Sequence, residues 1–232
     1  MRHFRELQTG PLHGIPRTEE ERAREELAAA YLPRRVAKAL IPGNALTLLR
    51  DGAEAYPRML AAIAGAQRTV RLETYRLAHD EVGRRFGRAL REAAARGVEV
   101  TVLYDALGSW GSRGSFFRWL KAGGVKLRAY RPLLPWRWKG LITRRDHRKL
   151  LVVDGRKAFV GGINIAEEWH PSDPACPAWR DDVVELEGPA AVSLDGLFRA
   201  TWRSQVSGWL HHRFRPRRAG QVPVAVLARR RA

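Results

Sequence analysis

Residues 69–104 restrict this chain to few folds. Thr69 to Tyr75 has strand character. Asp80 is placed to cap a helix that sets Val82, Phe86, Leu90 and Ala93 along one face, and Gly97 stops that helix before a second strand, Val98 to Tyr104. A strand, a helix and a strand in this order make a parallel βαβ unit. The alternation continues on both sides. Strands are predicted at 45–49, 125–129, 149–153, 157–160 and 182–186, and helices at 53–64, 115–122 and 190–205. Asp154-Gly155 reads as a hairpin turn between the two central strands. A capping-box spacing at Thr18 to Glu21 predicts an early helix to Ala30, and 222–227 is a last apolar run without an evident partner. The pattern is that of an α/β domain, and 232 residues give it ample core.

Charge narrows the choice of partner. The net charge is +18, and it is concentrated. Residues 121–149 carry ten basic side chains and one acidic one, and residues 199–232 carry nine arginines and no acid. Positive charge gathered in two blocks on a neutral body implies an anionic partner: nucleic acid, an anionic membrane surface or a phosphorylated substrate. The single cysteine, Cys176, excludes an intrachain disulfide and a thiolate metal cluster. No apolar stretch approaches the roughly 18 residues that span a bilayer, and residues 1–14 lack the apolar core of a secretory signal. These features predict a soluble or membrane-peripheral intracellular protein.

The chemistry is concentrated between Asp146 and Asn164. His147 and Lys149 lie two apart at the start of a predicted strand, so both side chains leave one face, which Leu151 and Val153 continue as an apolar surface. Asn164 follows the Gly161-Gly162 turn, where backbone can approach a ligand closely. An imidazole, an ammonium and a carboxamide together suit a phosphate group: the cation and the amide hold non-bridging oxygens, and the imidazole can attack phosphorus. No carboxylate pair or His/Cys constellation with ligand spacing accompanies them, so neither a metal nor another cofactor is expected.

The full spacing, His147-x-Lys149-x4-Asp154-x6-Gly161-x2-Asn164, resembles the signature of the phospholipase D superfamily. Five fixed residues coincide by chance with probability on the order of 10⁻⁵. The serine usual after the first glycine is Gly162 here, a departure that resembles the cardiolipin synthase branch. Leu72-Glu73-Thr74-Tyr75, Gly97-Val98-Glu99-Val100, Trp179-Arg180-Asp181 and Leu186-Glu187-Gly188-Pro189 are similar to that branch's flanking segments.

The resemblance implies a fold and a set of roles. The fold would be a mixed β-sheet flanked by helices, one half of the usual two-half pseudo-symmetric enzyme. The domain plan would be an N-terminal helical extension at 1–43, a catalytic half at 44–208, and a basic linker with the start of a truncated second half at 209–232. His147 would be the nucleophile that forms a phosphohistidine, or the general acid for the leaving alcohol. Lys149 and Asn164 would bind phosphate oxygens. Asp154 belongs to the signature as a buried structural carboxylate, and Asp181, beside Asp182, matches the acid that orients the motif histidine.

The implied reaction is phosphatidyl transfer to phosphatidylglycerol on the inner face of a bacterial cell membrane. The tryptophan- and cation-rich segment 131–143 (with Trp136 and Trp138) is expected to meet the lipid. Family synthases carry the motif twice and this chain carries it once, so a second half in trans or a homodimer is expected. A single-motif dimeric nuclease and a catalytically incomplete membrane-binding fragment are the alternatives, with nucleic acid the weaker partner.

Overall fold

The computed structural model describes residues 40–132, 145–171, 175–205 and 222–225. The expected helix from Thr18, the tryptophans at 136 and 138, and the arginine-rich segment at 213–218 lie outside the described residues. The elements run β1 (Leu40–Arg50), α1 (Asp51–Ala64), β2 (Thr69–Thr74), α2 (Glu81–Ala95), β3 (Glu99–Asp105), α3 (Gly114–Ala122), β4 (Lys126–Tyr130), β5 (Leu150–Val153), β6 (Lys157–Gly161), β7 (Asp182–Glu187), α4 (Pro189–Ser204) and β8 (Val222–Ala225), with a 3-10 turn at Glu167–Trp169.

The βαβ unit is present, with Thr69 opposite Glu99 and Thr74 opposite Tyr104 in parallel register. Asp80 does cap α2: one carboxylate oxygen accepts the Gly83 N–H at 2.8 Å, and the other accepts the Glu167 N–H at 2.9 Å, which ties the 3-10 turn to the helix start. All eight strands form one mixed sheet in the order β4-β3-β2-β5-β6-β7-β1-β8. The pairs β4–β3 and β3–β2 are parallel, and every pair from β2–β5 onward is antiparallel. Two stretches outside 44–208 also join this sheet: the start of β1 at Leu40, and β8, which pairs with β1 at its edge.

Strand alternation distributes the core over both faces. Val70, Leu72, Val100, Val102, Leu151 and Phe159 pack beneath Tyr56, Phe86 and Leu90 of α1 and α2. Leu103, Leu150, Val152, Ala158 and Leu186 pack beneath Ala190, Leu194 and Phe198 of α4. β5 therefore has no polar face, and its sequence Leu-Leu-Val-Val is buried throughout, as expected for a strand covered on both sides. Each fully buried leucine or phenylalanine contributes roughly 1.5–3 kcal/mol. This two-sided burial fixes β5 rigidly, and β5 is the strand that carries the motif.

Candidate active site

Tyr75, at the end of β2, is the point on which the motif converges. The exposed His147 ring stacks on the Tyr75 ring, with centroids 4.0 Å apart and planes 18° from parallel. The Lys149 ammonium lies 5.4 Å from the same ring's centroid, within cation–π range, and donates to the His147 carbonyl at 2.6 Å. Burial holds the Lys149 pKa below the usual lysine value, while the Asp146 and Asp181 carboxylates act in the other direction. Both motif residues sit in the extended segment that leads into β5 and not within the strand, so the same-face expectation is met through Tyr75 and not through strand pleat.

Asn164 reaches the same place from the other side. Its side chain is buried, and its Oδ1 accepts the Arg76 N–H at 3.0 Å and lies 3.4 Å from the Thr74 hydroxyl. The Tyr56 hydroxyl is 2.9 Å from the Asn164 carbonyl and 2.8 Å from the Ala166 carbonyl, which pins the backbone here. Burial pushes the Tyr56 phenol well above its usual pKa, so it remains a donor at any ordinary pH. With its oxygen engaged, the Asn164 carboxamide has its N–H groups left to offer.

Asp154 is placed elsewhere. It follows β5 whereas Lys149 precedes it, and a four-residue strand at about 3.3 Å per residue separates the two ends by roughly 15 Å. Its carboxylate accepts the backbone N–H groups of Gln67 at 3.0 Å, Arg68 at 2.8 Å and Thr69 at 2.8 Å, so it fastens the α1–β2 connection. Its work here is structural, at a half-buried position and not the fully buried one expected.

Asp181 is near the site but is not bonded to His147 among the described residues. One carboxylate oxygen accepts the Asp182 N–H at 2.8 Å. The carboxylate packs against the Cα of Gly162, in the space a side chain at 162 would need. This accounts for glycine in place of the motif's usual serine. Asp182 instead pairs with Arg180, at 2.6 Å.

Sequence reasoning missed the layer beneath the motif. Arg148 points to the α4 face, where its guanidinium meets the Glu73 carboxylate at 2.8 Å, Asp146 at 3.2 Å and the Thr201 hydroxyl at 2.7 Å. Burial pushes the Asp146 carboxyl up, but its hydrogen bonds with Glu73 and Arg148 outweigh this and hold it below the usual carboxylate range. Asp105, at the end of β3, accepts the Asp146 N–H at 3.0 Å. Glu73, which the sequence shows only as part of the Leu72–Tyr75 segment, is thus part of a buried ionic support. The sequence signal available was Asp146, directly before the histidine-lysine pair, and Glu73, within the Leu72–Tyr75 segment. Among the described residues no three His, Cys, Asp or Glu are grouped to hold a metal ion, and no helix is long and apolar enough to cross a membrane.

Residues 59–170 match the family model described as cardiolipin synthase, PLD-like domain. Cardiolipin synthase B of Salmonella typhi is 44% identical over 155 residues, covering 66% of this chain and 37% of the relative. The chain spans about a third to two fifths of the length of such curated relatives. Two solved structures share the fold at lower identity. Nuc, a phospholipase D family member from Salmonella typhimurium, superposes with a TM-score of 0.52 at 18% identity, covering 69% of this chain and 95% of Nuc. NucT from Helicobacter pylori gives 0.56 at 17%, covering 69% and 97%. The motif, the mixed sheet that carries it and these likenesses agree: the chain belongs to the phospholipase D superfamily, through a domain of the cardiolipin synthase type.

Proposed function

We propose that this domain transfers a phosphatidyl group from one anionic phospholipid to the hydroxyl of phosphatidylglycerol, through a phosphohistidine at His147. The observation that carries the reading is the grouping of an exposed imidazole, a half-buried ammonium and a pinned carboxamide around Tyr75. In the first step an imidazole nitrogen bonds to phosphorus, the bond from phosphorus to the glycerol oxygen breaks, and the leaving oxygen takes a proton. In the second step the acceptor hydroxyl loses its proton and bonds to phosphorus as the P–N bond breaks, so two phosphatidylglycerol molecules yield cardiolipin and glycerol. Lys149 and Asn164 hold the non-bridging oxygens as charge builds on them. Asp181 balances the Lys149 charge. In this reading 44–208 is the catalytic half, 1–43 precedes it, and 209–232 leads toward a partner half. The protein acts at the inner surface of the cell membrane.

The test is turnover of phosphatidylglycerol in mixed micelles by the full chain, with and without excess chelator. An alkaline quench and mass spectrometry would locate any adduct. Wild type should give cardiolipin and a phosphatidyl adduct on His147, at a rate that EDTA leaves unchanged. His147→Ala should lose turnover by at least about a thousandfold with its melting temperature kept, because the ring is exposed. Retained turnover in that variant refutes the assignment. A second reading, hydrolysis of nucleic-acid phosphodiesters by paired chains, is favoured by one observation. Nuc and NucT are each matched over nearly their whole length, so one domain of this size is a complete chain in both. Cutting of DNA with no lipid turnover selects that reading.

A further inference from the structure

The connection from β3 to α3 displays two large apolar side chains at the mouth of the site. Leu107 is 36% exposed and Trp110 is 72% exposed. Their exposure belongs to a well-fastened loop. Asp105 Oδ1 accepts the N–H groups of Leu107 at 2.8 Å and Gly108 at 3.2 Å, and the Trp110 N–H bonds the Leu107 carbonyl at 3.1 Å. Ser109 Oγ accepts the Leu77 N–H at 3.0 Å, and Ser112 Oγ donates to the Leu77 carbonyl at 2.6 Å. Gly108 packs so closely on Tyr75 that a side chain there would strike its carbonyl and ring. The loop and the His147 ring thus share Tyr75, and Trp110 is held out from a platform one residue removed from the reacting group.

The charge along this loop and the helix that follows has one sign. From Ala106 to Ala122 the chain holds three Lys or Arg and no Asp or Glu. Arg113, on the loop, and Arg118, in α3 just after it, are exposed and make no ion pair among the described residues.

We propose that Leu107 and Trp110, flanked by Arg113 and Arg118, form the surface by which this domain docks onto an anionic lipid bilayer, so that a headgroup meets His147 without leaving the membrane. The inference deepens the lipid reading given above and rests on it. An indole settles at the boundary between headgroups and acyl chains, and cations beside it meet lipid phosphate. Single-stranded bases also stack on an indole beside cations, but a nucleic-acid surface gives no reason to hold an aliphatic leucine in solvent next to it.

Vesicle binding by the full chain tests this. In a Cys176→Ser background, Gly111→Cys carries an environment-sensitive dye next to Trp110, where a side chain meets open space, and Arg156→Cys carries it on the exposed hairpin turn at the other end of the sheet. With phosphatidylglycerol vesicles at about 0.5 M salt, where surface charge is screened, the dye at 111 should brighten and shift to the blue while the dye at 156 does not change. Trp110→Ala should lower the vesicle partition coefficient at least about fivefold at that salt, with unchanged melting temperature. The proposal is overturned if the wild type leaves the vesicles at high salt, if the dye at 111 does not respond on bound protein, or if it responds to duplex DNA and not to vesicles. The readouts involve no turnover. A chain that docks in this way but leaves phosphatidylglycerol unchanged would refute the transferase reading and keep the docking surface.

Discussion

At the scale of single residues, Gly162 and Asp181 define a contact that the motif alone does not contain. A side chain at 162 would occupy the place of the Asp181 carboxylate, which also receives the Asp182 N–H. Gly162→Ser must turn that carboxylate away, with loss of the hydrogen bond and local crowding, at a cost of about 1–3 kcal/mol. Asp181→Ala loses the hydrogen bond but opens the space. The double variant should therefore recover about 1 kcal/mol relative to the sum of the two, measured by denaturant titration of all four proteins. Strict additivity would show that the two groups do not meet. Asp181→Ala has a second consequence. It removes a carboxylate that raises the Lys149 pKa, so that pKa should fall further below the usual lysine value, toward the range where the ammonium loses its charge.

At the scale of elements, the turn between β5 and β6 holds two others together. Asp154 and Gly155 have φ of 54° and 63°, and the Asp154 carboxylate takes three N–H groups from the α1–β2 connection. Burial pushes the Asp154 carboxyl up, but the N–H groups of Thr69, Gln67 and Arg68 outweigh it and hold the pKa below the usual value. A depressed native pKa stabilises the fold fully above the unfolded value of about 3.9, and that stabilisation is lost as pH falls through the native value. Asp154→Asn keeps the shape and the tolerance of this backbone region. It should cost about 1–2 kcal/mol at pH 7, and the gap should close below about pH 4. A gap independent of pH would mean that the charge plays no part.

These elements also show what the sequence could convey. Periodicity placed the βαβ unit, the hairpin and α4 within a residue or two, because apolar spacing and caps are local signals. The partner of 222–225 was not legible, since β8 pairs with β1 from the opposite end of the chain. The motif marked His147, Lys149 and Asn164, whereas Tyr75, on which two of them rest, carried no spacing signal of its own. Asp181 was expected at His147 and lies instead against Gly162, a choice made by the packing of β6 on β7 that no linear pattern encodes.

At the scale of the whole molecule, the chain carries one His-x-Lys pair, whereas the proposed transfer makes two demands. An imidazole that has bonded to phosphorus cannot also protonate the leaving oxygen in the same step, so a second acid must face it across the substrate. A second copy of this domain supplies it with no new residue, if two His147 rings meet about a two-fold axis. The net charge of +18 opposes that meeting, so pairing should be strongest where an anionic lipid surface lies under both copies. The arrangement predicts how activity depends on mixing. If wild type and His147→Ala chains exchange freely on phosphatidylglycerol vesicles, a productive pair needs two intact rings, and turnover should fall as the square of the wild-type fraction. An equal mixture should then keep about a quarter of the activity. A chain that works alone, or with a partner half from another polypeptide, gives a straight line and keeps about a half. The titration should be run at constant total protein, so that surface coverage stays fixed, with cardiolipin formed per minute as the readout. A linear plot would refute the shared site and leave the domain in need of a different second acid.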